Sequence, residues 1–170
     1  MQNKKDLLDI KFQLKTRVLN FLSYKLRTEQ EVLQRIERYL NRSEITSRQE
    51  KTELRDQIVL ELKEHGLVND ELFAETFIKE KMLGPRSSSF AKIKEFLLRK
   101  GVSQDIIQQK FKLFPSLEEG NVLREAEKKL KSIKGGDRRI RKQKLIKFLL
   151  SKGYRYDAIR SVVDSVVDVK

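Results

Sequence analysis

Apolar residues recur along this chain at the three- and four-residue spacing of amphipathic helices. The last such segment is the clearest, with i, i+3, i+4, i+7 and i+8 occupied by Ile159, Val162, Val163, Val166 and Val167. Valine favours strands, but the period is near 3.6 rather than 2, so a helix is predicted. In all, the spacing predicts nine helices, at residues 7–25, 28–41, 48–65, 70–83, 87–100, 103–114, 117–134, 137–152 and 155–168. In the first of them Ile10, Phe12 and Leu14 alternate, which leaves a short extended start open.

Capping residues and glycines mark where these helices begin and end. Capping boxes are predicted at Thr28–Glu31, Ser47–Glu50 and Ser116–Glu119, where a hydroxyl accepts from the third helical N–H and a glutamate reaches back. Further N-cap candidates are Asn69 or Asp70, Ser103 and Asp137. Glycine can adopt the left-handed conformation that ends a helix, and the candidates for this role are Gly66, Gly84, Gly101, Gly135, Gly136 and Gly153.

One helical signature occurs twice. Residues 93–107 read IKEFLLRKGVSQDII and residues 145–159 read LIKFLLSKGYRYDAI, at an offset of 52 residues. Each copy contains a helix, a glycine turn and an acid in the first turn of the next helix, where it interacts favourably with the positive helix end. A period near 50 residues with three helices per unit predicts a tandem helical repeat.

The repeat divides the chain into modules. An N-terminal extension is predicted at residues 1–16, followed by three-helix modules at 17–66, 67–115 and 116–170. The first module fits the plan more loosely, with its middle helix at 32–40 and a longer turn after it. The predicted fold class is therefore all-α, with three tandem three-helix modules.

Composition restricts the function classes. The chain has no Cys, which excludes disulfides and thiolate metal sites, and it has no apolar run of the length that a membrane helix or a signal peptide needs. A cytoplasmic location without membrane contact is expected. The net charge is +13, and residues 116–170 carry 15 basic and 8 acidic residues. A field of this sign attracts nucleic acid, an anionic membrane or an acidic protein surface, although it also serves solubility.

Four segments resemble a known family. They are Leu19–Val32, the entry to module two at Gly66–Ala74, and the two glycine turns Leu98–Val102 and Ser151–Tyr154. In this order and spacing they resemble the RecX family, regulators of the bacterial recombinase RecA. The resemblance extends from Arg17 to Val167, nearly the whole chain.

The resemblance implies more than the residue pattern does. It implies an elongated, curved array of the three modules that binds along the groove of a RecA–DNA filament. It also implies a monomeric, non-enzymatic regulator without a cofactor, which inhibits the filament's ATPase and strand exchange in recombination and repair. Two alternatives from the residues stay open: a helical protein that binds DNA directly through its basic face, and a helical scaffold without such a role.

The strongest candidate for partner contact is a basic cluster near the start of the eighth predicted helix. Its members are Arg138, Arg139, Arg141, Lys142, Lys144 and Lys147. Cations in a first helical turn oppose the helix dipole, so their presence favours an anionic partner, either phosphate or an acidic protein surface. The alternative is a solvated basic helix end.

A second cluster lies at the equivalent helix of module two and consists of Arg86, Lys92, Lys94, Arg99 and Lys100, of which all but Lys94 are candidates for partner contact. Lys92 and Arg99 are seven residues apart and share a helical face. Glu95 interrupts this cluster, so a solvated face is the better interpretation, and binding to DNA or the filament is the alternative.

Few other residues indicate a binding or catalytic role. Base stacking is one interpretation for Tyr24, Tyr39, Tyr154 and Tyr156, but Tyr39 and Tyr154 occupy apolar positions that predict burial. His65 is the only histidine and is predicted to end a helix. The sequence has neither a phosphate-binding Gly-rich loop nor a nucleophile elbow, so no enzymatic activity is predicted.

Overall fold

The computed structural model describes residues 2–84, 88–133 and 137–168, and it describes the side chains in these ranges except at 2–6, 115, 116 and 168. The described residues form nine α-helices and no strand, so the all-α class is confirmed. The helices are α1 (Gln2–Ser23), α2 (Glu29–Leu40), α3 (Arg48–Glu64), α4 (Asp70–Leu83), α5 (Phe90–Arg99), α6 (Gln104–Lys112), α7 (Pro115–Ser132), α8 (Arg138–Ser151) and α9 (Tyr156–Asp168).

Most of the predicted helix starts are confirmed. Thr28 forms a complete capping box with Glu31, and the hydroxyls of Ser47 and Ser103 and the carboxylate of Asp137 each accept from a backbone N–H in the first turn. The Asn69 side chain accepts from Leu72 N at 2.8 Å. These caps satisfy backbone donors that have no partner within the helix.

One prediction about a helix start is wrong, and one alternative that was left open is excluded. α1 is helical through the segment where an extended start was left open. α7 begins at Pro115 rather than after a Ser116 cap, and its N-cap residue Phe114 makes no side-chain capping bond. The fixed φ of proline suits the first helical position, so Pro115 starts the helix earlier and Glu119 no longer lies three residues after the N-cap.

Three of the predicted glycine stops have left-handed backbone conformations. The φ angles are +67° at Gly66, +83° at Gly101 and +85° at Gly153. Gly84 follows α4 without a positive φ, and Gly135 and Gly136 lie outside the described residues. The repeated glycine of the sequence signature therefore has the same backbone role in both copies.

The chain forms two compact units. Unit 1 contains residues 1–73 and 100–102, and unit 2 contains residues 74–99 and 103–170. Unit 1 has a core from α1, α2 and α3, in which Val18, Ile36 and Ile58 are fully buried. α1 continues across residue 16, and Leu14 belongs to this core. The boundaries of the three modules stay a prediction.

Unit 2 has its largest core cluster in the three-helix bundle of α7, α8 and α9. Leu145, Leu149 and Ile159 are fully buried there. Elsewhere in unit 2 two aromatic pairs stack, Phe77 on Phe96 with centroids 4.3 Å apart, and Phe90 on Phe111 at 4.2 Å. Aromatic stacking adds to the stabilisation from apolar burial in these helices.

The two copies of the signature bury the same positions. Leu97 and Leu149 are fully buried, as are Ile107 and Ile159, and the residues after the glycines, Val102 and Tyr154, are also buried. The neighbouring leucines, Leu98 and Leu150, are exposed in both copies. Because a helix turns by 100° per residue, adjacent leucines diverge, so only one of each pair can reach the core.

The glycine turns also receive matching hydrogen bonds. In unit 1 the buried Thr28 hydroxyl donates to the carbonyl of Lys100 at 2.7 Å. In unit 2 the buried Ser89 hydroxyl donates to the carbonyl of Lys152 at 3.0 Å. Both hydroxyls lie at the start of a middle helix, and both carbonyls immediately precede a left-handed glycine. The repeat therefore includes a backbone docking contact as well as apolar positions.

Acidification is expected to weaken unit 1 through Glu31. Burial disfavours the charged carboxylate, but the Lys100 ammonium at 2.6 Å, the Thr28 N–H and the Arg27 guanidinium outweigh burial and hold the pKa of Glu31 below its ordinary 4.5. Because the folded-state pKa is the lower one, this stabilisation is present above the unfolded-state pKa and is lost as the pH falls through the folded-state pKa.

Urea unfolding from neutral pH down to about pH 3 tests this expectation. The wild type should lose more free energy of unfolding on acidification than the Glu31→Gln variant, which has no titrating group at this position. Parallel pH profiles for the two proteins would contradict the role of the Glu31 carboxylate.

A basic face on helix α8 as the candidate functional site

Helix α8 carries the first predicted cluster and has no acidic residue in its own sequence. Its N-cap, Asp137, accepts from Ile140 N at 2.8 Å, which places one negative charge at the positive helix end. Arg138 and Arg139 follow directly and are exposed. The Asp137 cap thus stabilises a first turn that two adjacent cations would otherwise weaken.

The cations of α8 divide by the direction they face. Leu145 and Leu149 point into the bundle core, whereas Arg139, Lys144 and Lys147 are exposed. Arg139 and Lys147 are eight residues apart, about two turns, so they lie on the same side of the helix. We call the residues Arg139, Lys144 and Lys147 the α8 basic face. They show no ion pair among the described residues.

Other members of the predicted cluster interact within unit 2. Lys142 forms an ion pair with Asp164 on α9. The Lys142 hydrogen bond and the charges of Lys142, Arg138 and Arg160 lower the pKa of the Asp164 carboxyl. Arg141 is half-buried, and its Nε is buried without a hydrogen-bond partner in the described structure. Lys142 thus contributes to packing of α8 on α9 and is less available to a partner than the α8 basic face.

A shallow groove adjoins the α8 basic face. It is lined by Lys129, Ser132, Ile133, Lys144, Lys147 and Phe148. The ammonium groups of Lys129 and Lys152 lie 5.1 Å and 5.3 Å from the Phe148 ring centroid. The groove therefore combines lysines with a half-buried aromatic ring, a combination that suits an anionic partner.

Sequence reasoning missed Lys129 as a groove residue. It belongs to α7, whereas Lys144 and Lys147 belong to α8, so only the packing of the two helices brings the three together. Sequence reasoning also missed the burial of Glu118, which is fully buried and accepts a hydrogen bond from Arg155 Nε on its Oε2 at 2.8 Å. Its position in an acidic first helical turn gave no signal of burial.

The second predicted cluster is less coherent. Arg86 lies outside the described residues. Lys92 is exposed, and Arg99 is exposed with Glu95 3.7 Å away, as the solvated-face interpretation requires. Lys100 belongs to unit 1, where its ammonium pairs with Glu31. Of this cluster, the described structure leaves Lys92 and Arg99 as exposed candidates.

The remaining candidates separate by exposure. Tyr39 and Tyr154 pack into the two cores as predicted, whereas Tyr24 is 84% exposed and Tyr156 is 57% exposed. His65 is the C-cap of α3, and its Nδ1 lies 2.7 Å from the Glu61 carbonyl.

In the described part of the chain, no group of His, Asp or Glu side chains is arranged to hold a metal ion. Among the described helices, none has both the length and the apolar character needed to cross a membrane.

The fold and this site define an all-helical, highly basic protein with three-helix domains and an exposed basic face. Residues 118–163 match a family model described as RecX, third three-helix domain. The chain belongs to the RecX family.

Curated relatives support this membership. A protein named Regulatory protein RecX from Clostridium perfringens strain SM101 is 45% identical over 105 residues, which is 60% of this chain and 48% of the relative. A protein of the same name from Lactococcus lactis subsp. cremoris strain SK11 is 31% identical over 157 residues, covering 91% of this chain and 55% of the relative. The chain spans about half the length of these relatives.

Solved structures support the fold. The crystal structure of RecX from Lactobacillus salivarius matches with a TM-score of 0.80 and 25% identity, covering 96% of this chain and 99% of that one. A second RecX crystal structure, 21% identical, matches in fold with a TM-score of 0.73, covering 92% of this chain and 74% of the other.

Proposed function

We propose that this protein is a non-enzymatic regulator that binds the RecA recombinase–DNA filament and inhibits its ATPase and strand-exchange activities. The family supports a regulatory role, since the curated relatives bear the name Regulatory protein RecX. The observation that carries the proposal for this chain is the α8 basic face, where Arg139, Lys144 and Lys147 are exposed on a helix without acids. We further propose that it acts as a monomer in the cytoplasm, where the filament forms.

The chemistry of the α8 basic face suits a filament surface. DNA in a filament presents phosphates, and a recombinase can present carboxylates beside them. Arginine binds either group through two parallel hydrogen bonds, and lysine contributes a point charge. The face is exposed, so each contact is weak by itself, and affinity depends on several contacts made together.

A charge-reversal experiment tests the proposal. The Arg139→Glu/Lys147→Glu variant should require at least about a tenfold higher concentration for half-inhibition of RecA ATPase, because two attractive contacts become repulsive. The matched control is Arg38→Glu/Arg48→Glu, which changes the net charge equally at two exposed arginines of unit 1. The control should inhibit like the wild type.

Two outcomes would each contradict a different part of the proposal. If the wild type at large molar excess leaves RecA ATPase and strand exchange unchanged, the regulatory function is wrong. If both charge reversals weaken inhibition equally, the function stands but its assignment to the α8 basic face is wrong.

Direct DNA binding is the second candidate, favoured by the groove in which lysines surround Phe148. It predicts tight binding to naked duplex DNA, with log K falling by about 0.9 per phosphate contact for each tenfold rise in salt. Weak binding to naked DNA together with tight binding to the filament would reject this candidate.

A further inference from the structure

Unit 1 contains an alternating stack of arginines and aromatic rings. The guanidinium carbons of Arg17 and Arg35 lie 5.4 Å and 5.0 Å from the Tyr39 ring centroid. Arg35 and Arg27 lie 5.1 Å and 4.0 Å from the Phe21 centroid. We call these five residues the arginine–aromatic ladder. Each ring is shared by two guanidinium groups, so the ladder holds three cations in a continuous row.

The sequence builds the ladder from two helical pairs. Arg17 and Phe21 are four residues apart on α1, and Arg35 and Tyr39 are four apart on α2. Residues at this spacing lie on one side of a helix, so each pair presents a cation and a ring together. Arg27 comes from the connection between the two helices. Burial of other α1 and α2 side chains in the unit 1 core holds the two helices against each other.

The arginines of the ladder have few anionic partners. Arg27 lies 3.8 Å from Glu31, but that carboxylate is closer to Lys100, at 2.6 Å. Arg17 and Arg35 have no carboxylate within ion-pair distance among the described residues. Like-charged groups repel, so a row of three cations with one shared acid favours an added anion.

The N–H donors of the ladder point to the same conclusion. The rings stabilise the guanidinium groups through their faces, which leaves the in-plane N–H donors available for other partners. The Nε atoms of Arg27 and Arg35 are buried and have no hydrogen-bond acceptor in the described structure. A buried donor without an acceptor is unfavourable, so a ligand that supplies acceptor oxygens would stabilise this arrangement.

Two further features of unit 1 indicate the kind of ligand. A cavity of about 340 Å³ is lined by Arg17, Tyr39 and Arg42 among others. Glu44 is the acidic residue in this lining. Tyr24 follows α1, seven residues after Arg17, and is 84% exposed. Along the chain Tyr24 is three residues from Phe21 and three from Arg27, and an exposed aromatic ring so close in sequence to a row of cations suits a base next to its phosphates.

We propose that the arginine–aromatic ladder is a binding site for single-stranded nucleic acid. Arg17 and Arg35 bind successive phosphates through their free N–H donors, and Tyr24 stacks on a base. An acidic peptide would satisfy the arginines but has no planar group for Tyr24, so the nucleic acid fits the observations better. The site lies in unit 1, uses none of the residues of the α8 basic face, and does not depend on the recombinase.

Fluorescence anisotropy with a labelled oligothymidylate and no recombinase tests the site. The Arg17→Gln/Arg35→Gln variant should bind at least about tenfold more weakly, and its slope of log K against log salt should be shallower by about 1.4 for the two phosphates lost. The matched control is Arg38→Gln/Arg48→Gln, which removes equal charge from exposed positions of unit 1. It should bind within about twofold of the wild type, with an unchanged slope.

Two further variants guard against misfolding and against a purely electrostatic effect. Circular dichroism checks each fold, and the single Arg17→Gln variant, at an exposed position, replaces the double variant if the latter unfolds. Tyr24→Ala should weaken binding several-fold without changing the salt slope, because it removes stacking rather than charge. Equal weakening by the ladder and control variants, or displacement of the oligothymidylate by polyglutamate at equal charge concentration, would overturn the proposal.

Discussion

Replacing Leu149 by alanine is expected to lower the free energy of unfolding by about 2–5 kcal/mol. Leu149 is fully buried in the bundle of α7, α8 and α9, where Leu145 and Ile159 are buried with it. Alanine removes three carbon atoms from the core and leaves a cavity that the packed neighbours fill only in part. This is the largest effect that we expect from a single substitution in unit 2.

The adjacent leucine supplies the control. Leu150 is 46% exposed, so Leu150→Ala removes the same atoms from the same helix without opening a buried cavity. It should change the free energy of unfolding by no more than about 0.5 kcal/mol. Urea unfolding followed by circular dichroism gives both values. Losses of similar size for the two variants would show that the core of this bundle is not packed as described.

Replacing Gly101 by alanine is expected to lower the free energy of unfolding by more than about 2 kcal/mol. Its φ of +83° is unfavourable for a residue with a Cβ, by about 1–2 kcal/mol alone. A Cβ would also lie 2.5 Å from the Cβ of Gln30 and 2.8 Å from its Cδ. The Gln30 side chain or the Lys100–Val102 segment must therefore move, and this movement threatens the nearby Thr28 to Lys100 hydrogen bond.

Gly66 separates the backbone effect from the contact effect. It also has a positive φ, +67°, but a Cβ there would meet nothing within 4 Å. Gly66→Ala should therefore show only the left-handed backbone penalty of about 1–2 kcal/mol. Thermal or urea unfolding of the two variants gives the difference. If Gly66→Ala is as destabilising as Gly101→Ala, the close approach of Gln30 has no energetic role.

The helices were predictable because their signals are local. Thr28 and Asp137 cap helices with their own side chains, and the 3.6-residue period of the apolar positions requires no knowledge of the partner helix. The start of α7 was less predictable because two local signals compete there. Pro115 and the Ser116 motif each favour a start, and the proline prevails, since its fixed φ suits the first helical position.

The candidate site was predictable only as a segment. The sequence placed Arg139, Lys142 and Lys147 in one cluster, because it shows only that these cations are close together along the chain. The structure separates them, since Lys142 pairs with Asp164 while Arg139 and Lys147 stay exposed. Asp164 is 22 residues from Lys142, and no local pattern links the two.

The sequence by itself determined the all-α class, the repeated helix–glycine–helix signature and the basic character of α8, because each of these depends on neighbours along the chain. Only the tertiary structure decided which cations stay exposed, which hydroxyl reaches the carbonyl before each glycine, and which rings separate Arg17, Arg35 and Arg27. The physical reason is that ion pairs, docking hydrogen bonds and ring contacts act over a few ångströms in space. Residues far apart in sequence meet at such distances only after the helices have packed.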